Sequence, residues 1–211
     1  MALSSTGPIN HYGVQLHFGG SNPIGLSEYY NADPYKPVPA AGEISLNDFR
    51  GSSAHTCRIE TGESDDYVPR RGYSAANGSF YYTQESGKDK GSFGSISKTQ
   101  GVLYGGSQLS AFIIQRPTAD IGVQMVVCHW GDNEDAFGVM YIKAVGGGTY
   151  DGTEWVFYGG DSSYASLSNT SPQAYGHKWQ DGLQNDLEDI YDHMNDNRPV
   201  VLKFLEGGRN R

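Results

Sequence analysis

Apolar residues in the first fifty positions do not form long runs; they come in three short, similar phrases. These are Ile9-Asn10-His11-Tyr12, Ile24-Gly25-Leu26-Ser27-Glu28-Tyr29 and Ile44-Ser45-Leu46-Asn47-Asp48-Phe49. The last two lie twenty residues apart and repeat isoleucine, leucine, an acid and an aromatic ring in one order. A breaker precedes each: Gly7-Pro8, Asn22-Pro23 and Gly42-Glu43. In the third copy Ser45 and Asp48 have the form of a capping box, which closes one helical turn with Leu46 and Phe49 on the same side. Gly25 and Glu28 hold the matching places in the second copy. In the first, Asn10 is the cap of a somewhat longer helix that stops at Gly19-Gly20. Asp33 to Pro39 holds three prolines in six residues and predicts an extended linker.

From Cys57 the pattern changes to short strand-like runs. Residues 57–61, Val68–Tyr73, Leu109–Ile114, Val123–Cys128, Phe137–Ala144, Thr153–Tyr158 and Val200–Leu205 are the candidates, separated by turn signals such as Pro117, Gly131-Asp132 and Gly146-Gly147-Gly148. One helical period stands late in the chain, at 185–195, with Leu187, Ile190, Tyr191 and Met194 on one face. The expectation is a mainly β chain: an arm of short helical turns over residues 1–56, then a β-sandwich-like domain over 57–211 with one late short helix.

Composition supports this. The chain of 211 residues holds 29 Gly, 15 Tyr, 8 Phe and 3 Trp, a makeup suited to strands and tight turns. Its net charge of −9, with Arg70-Arg71 as the only local cation cluster, argues against a nucleic-acid partner. No apolar run approaches the roughly 18 residues of a membrane-spanning helix. The first eight residues lack the regions of a secretory signal, so synthesis in a cytosol is expected.

Candidate chemistry is sparse. Asp132-Asn133-Glu134-Asp135 could ligate calcium or supply paired acids, but it lacks EF-hand spacing and reads as a solvated hairpin loop. Asp65-Asp66 and the acidic helix face of Asp186, Glu188 and Asp189 read the same way. His11, His17, His55, His129, His177 and His193 are scattered without metal-ligand spacing and read as single satisfied or surface histidines. No serine sits in a nucleophile elbow, and no glycine-rich loop leads into a helix with lysine. Cys57 and Cys128 read as inert thiols; nothing requires a disulfide between them. The expectation is no enzyme, no metal and no cofactor. An aromatic surplus remains: Tyr81, Tyr82, Trp155, Tyr158, Tyr164, Tyr175 and Trp179 are half-buried sandwich rings, an assembly interface or stacking platforms for sugars.

A repeat this small cannot bury a core by itself, so its apolar residues pack on each other or on another chain. The reading adopted is the second, with Ile9, Ile24, Leu26, Tyr29, Ile44, Leu46 and Phe49 as plugs for a neighbouring subunit. Met1–Ile9 and Gly42-Glu43-Ile44-Ser45-Leu46-Asn47-Asp48-Phe49-Arg50-Gly51-Ser52 resemble the opening of small virion structural proteins of tailed phages, tail and tail-fibre-associated ones especially. Arg50 replaces an aromatic common there. Arg71-Gly72-Tyr73-Ser74, Gly94-Ser95-Ile96-Ser97 and Glu154-Trp155-Val156-Phe157 resemble a series of phrases in the same family, in the same order. The resemblance implies a non-enzymatic building block of a tail, baseplate or fibre, acting in the virion beside other phage structural proteins. Self-association stays open, as do two alternatives: a receptor-binding adhesin touching host glycans, and a capsid decoration protein.

Overall fold

The structure, a computed structural model, describes residues 3, 8–18, 25–29, 33–34, 43–49, 53–64, 68–75, 92–98, 102–116, 122–131, 137–166, 174–179 and 183–206. The first helix, α1, is His11–Phe18, and single 3₁₀ turns follow at Leu26–Tyr29 and Leu46–Phe49. The strands are β1 (Thr56–Glu60), β2 (Gly62–Ser64), β3 (Arg70–Ser74), β4 (Ser95–Ile96), β5 (Gln108–Gln115), β6 (Gln124–Trp130), β7 (Val139–Ala144), β8 (Glu154–Tyr158), β9 (Ser163–Ser166), β10 (Ala174–Trp179) and β11 (Val200–Leu205). Helix α2, Gln184–Asn195, lies between the last two strands.

Two antiparallel sheets result, ordered β4-β1-β11-β7-β8 and β2-β3-β5-β6-β10-β9. The fold is mainly β and sandwich-like. Alternation decides what each strand buries. In the first sheet β7 turns Met140, Ile142 and Ala144 inward, β8 turns Trp155 and Phe157, and β11 turns Val200, Leu202 and Phe204. Phe112, Ile114, Met125, Val127 and Trp179 of the second sheet complete the same core. Strands β5 and β6 are buried on their other face too, where Ala111, Ile113, Val126 and Cys128 cluster with Phe93 packed on them.

Helix α2 forms where its period predicts, and Leu187, Ile190, Tyr191 and Met194 all enter the main core. Two residues past its end Asn197 takes the left-handed conformation (φ 57°) and donates its amide to Met194 O at 2.9 Å. The acidic face of α2 is not simply solvated as expected. Glu188 is ion-paired with Arg116, whose guanidinium also lies 4.5 Å from the Tyr191 ring centroid.

Glycines set the closest approach between sheets. β1 passes from one sheet to β2 in the other through Thr61 alone, whose hydroxyl donates to Arg198 O at 2.6 Å. At that corner a Cβ on Gly62 would fall 2.1 Å from Gly94 N, and one on Gly94 2.1 Å from Gly72 O. Gly72 itself has φ +130°, and a Cβ there would meet Phe112 O at 2.1 Å. So the glycines of the Arg-Gly-Tyr-Ser and Gly-Ser-Ile-Ser phrases meet in space, backbone against backbone.

Four strands, β2, β4, β9 and β10, escape the sequence pattern. β2 and β4 are too short to show alternation. β10 does alternate, with Tyr175, His177 and Trp179 all buried, but Gly176 and Lys178 between them obscure it. Cys57 lies in the main core and Cys128 on the far face of the other sheet; both are free, and burial pushes each thiol up to about 12.

Gly72→Ala should cost about 2–4 kcal/mol through left-handed strain plus a backbone clash, read as a lowered denaturation midpoint. Native protein should leave both thiols unlabelled by a thiol reagent near neutral pH, and denatured protein should release two.

Candidate interaction surface

The N-terminal repeats fold around each other. Asn10 caps α1 as expected, its Oδ1 accepting from Gly13 N at 2.7 Å. The second and third copies each make one 3₁₀ turn, and in that geometry the leucine and the ring three residues on stand above one another. For the third copy, the Asp48 side chain of the expected capping box lies outside the described residues. Val14, Tyr29 and Phe49 form a buried cluster separate from the main core, with Leu3, Ile9, Phe18, Leu26, Ile44 and Leu46 packed against it. Tyr29 and Phe49 meet edge to face, centroids 5.8 Å apart, and Phe18 leans on both at 6.2 and 6.0 Å.

This corrects the outward-plug reading for Tyr29 and Phe49. Tyr29 and Phe49 are buried inside their own chain, and Ile9, Leu26, Ile44 and Leu46 are half-buried around them. Each copy alone is too small for a core, but three copies supply one residue or more to a shared one. Ile24 lies outside the described residues.

The module is tied to the sandwich at its base. Ser53 N donates to the buried Asp33 Oδ2 at 2.7 Å, so Asp33 is a clasp, while residues 35–39 of the expected linker lie outside the described residues. His17 Nε2 accepts from Ala54 N at 3.0 Å, which leaves its proton on Nδ1. Lys98 Nζ donates to Ala54 O at 2.5 Å, and burial lowers the Lys98 pKa. His55 stacks on Tyr104 at 3.8 Å between centroids.

Among the described residues, what the module leaves outside is one large apolar pair. Tyr12 and Leu16, four residues apart on α1, are 68% and 76% exposed, while Val14 and Phe18 point into the cluster. Sequence reasoning missed this pair, although alternate apolar positions at 12, 14, 16 and 18 on one helix must face both ways. The other exposed apolar residues among those described are Val156 and Tyr158 on β8, beside half-buried Tyr141 and Val139 of β7.

The remaining candidates disperse. Arg70 and Arg71 are buried in β3, and Arg71 donates to Asn195 Oδ1 at 3.1 Å and to Arg70 O at 2.9 Å. Trp155, Tyr175 and Trp179 are buried, and Tyr158 alone of the surplus rings is described as exposed. Tyr81, Tyr82, the Tyr164 side chain, Asp65-Asp66 and Asp132–Asp135 lie outside the described residues. Among the described residues no three potential metal ligands converge. Two histidines do come together: His129 and His177, both fully buried, with Nε2 atoms 3.4 Å apart.

Phe49→Ala should remove about 3–5 kcal/mol from the module, read as raised amide exchange over residues 8–54 with the sandwich unchanged. Comparison with protein-family models, with curated proteins and with solved structures returned no match.

Proposed function

We propose that the chain is a non-enzymatic structural protein of a tailed-phage virion, placed in the tail, that docks on neighbouring subunits through its N-terminal module. The observation that carries this reading is the Tyr12–Leu16 pair, held outward on a module with its own core and clasped to the sandwich. A soluble helix seldom displays two large apolar side chains four residues apart without a surface to cover them. The resemblance of the opening residues and of the third repeat to small tail-associated proteins supplies the particle. The half-buried Ile9, Leu26, Ile44 and Leu46 add rim contacts, whereas Tyr29 and Phe49 act indirectly, by holding α1 in place.

The glycan-binding alternative loses three of its seven rings, since Trp155, Tyr175 and Trp179 are buried. A capsid decoration protein would dock by the same means elsewhere on the particle, and particle cryo-EM separates the two.

Tyr12→Glu combined with Leu16→Glu tests the docking role. Each side chain is worth about 1.5–3 kcal/mol when covered, so the double variant should enter particles at least about a hundredfold less well while melting like the parent. Incorporation at the parental level would overturn the reading.

A further inference from the structure

We propose that His129 and His177 form an acid-sensitive latch that holds β9 and the turn before it onto the six-stranded sheet. This inference stands apart from the docking function and uses none of its residues.

The hydrogen bonds assign the protons. Ser162 Oγ donates to Gly159 O at 2.6 Å, because a carbonyl can only accept. The Ser162 hydroxyl has no second proton, so its 3.0 Å contact with His177 Nδ1 is donated by the ring. Neutral His177 therefore carries its proton on Nδ1 and offers a lone pair at Nε2. Facing it at 3.4 Å, His129 Nε2 donates, over a long bond. The ring centroids are 5.5 Å apart, about two ångströms more than the nitrogens, so the rings meet edge to edge along the bond and do not overlap face to face. One chain of bonds thus joins β6, β10 and the turn leading from β8 to β9.

The relay has room for one proton between the facing nitrogens. A further proton has two places to go. On His129 Nδ1 it creates a cation fully buried in the sandwich, where desolvation opposes it. On His177 Nε2 it sets two N–H groups head to head. Around the pair lie Tyr175, stacked on His129 at 5.4 Å, and Phe137 and Trp179 beside His177 at 4.9 and 6.0 Å. Phe137 and Trp179 bring no ionisable group to the pair. Lys178 and Cys128 occupy the opposite face of the sheet, and Asp161 in the adjoining turn is exposed.

Strand β9 depends on this contact more than its neighbours do. It is the edge of its sheet and pairs with β10 alone, through Tyr175↔Ser166, Gly176↔Ala165, His177↔Tyr164 and Lys178↔Ser163. When Ser162 loses His177, the turn loses its side-chain tie to β10. An unperturbed imidazole titrates near about 6.5, so opening is expected between about pH 7 and about pH 5. The sign is that of buried neutral bases: the stabilisation is complete above the unfolded histidine pKa and is lost as pH falls below it. His55 shifts in the same direction, lowered chiefly by burial, so a global melting curve alone would mix the two.

The test is local. Nitrogen-15 imidazole spectra of the full chain at about pH 7.5 should show the Nδ1–H form for His177 and the Nε2–H form for His129. Amide protection over 163–166, corrected for intrinsic exchange, should fall at least about tenfold between about pH 7.5 and about pH 5.5, with residues 11–18 unchanged. In His129→Gln the amide still donates to His177 but cannot take the Nδ1 proton, so the loss of protection should shrink below about threefold. If that variant does not fold, the wild-type spectra decide. Opposite tautomers, or rings that protonate near the ordinary imidazole value while 163–166 stay protected, would overturn the latch.

Discussion

Backbone contact at one corner governs how the two sheets meet. Gly62, Gly72 and Gly94 touch main chain to main chain, and a methyl group on any of them would drive into a neighbouring peptide. That closeness lets Thr61 alone carry the chain from one sheet to the other, with the 92–98 segment bridging both. Phe93 exchanges hydrogen bonds with Ser74 in the six-stranded sheet, and Ser95 and Ile96 pair with β1 in the five-stranded one. A looser corner would separate the layers, and Tyr73 and Ile59 on its two sides would no longer share a core.

The N-terminal module solves a size problem by repetition. A single turn of four residues cannot shield an aromatic ring from water, but α1 and two such turns can shield each other's. The ring positions Tyr29 and Phe49, and the clasp positions Asp33 and Ser53, are separated by the same interval as the repeats. The clasp therefore joins equivalent points of two successive copies. The outward face of α1 then inherits its position from the cluster beneath it.

Much of this was legible from residue order. The strands with clean alternation and the amphipathic α2 declare themselves, as does the Asn10 cap, because each rests on local chemistry. What stays hidden depends on distance. Nothing local says whether Phe49 meets Tyr29 or a foreign surface, since the apolar phrase is identical in both cases. The pairing of His129 with His177 across adjacent strands follows from register, Tyr175 opposite His129 and His177 opposite Val127, and register is a property of the folded sheet. The surplus of rings misled for a related reason: Trp155 and Trp179 line opposite layers of one thick core, and counting aromatics does not reveal how thick that core is.

Strand β11 sits between β1 and β7, in the middle of its sheet. During synthesis its neighbours leave the ribosome first, and the place between them stays open until residue 205 has emerged. Until then Leu202 and Phe204 are missing from the interior, and β1 and β7 present raw edges to one another and to other nascent chains. The buried cluster of the N-terminal module has no such wait, because Val14, Tyr29 and Phe49 all lie within residues 8–49. This chain should therefore mature from its front end, with the last strand acting as the keystone.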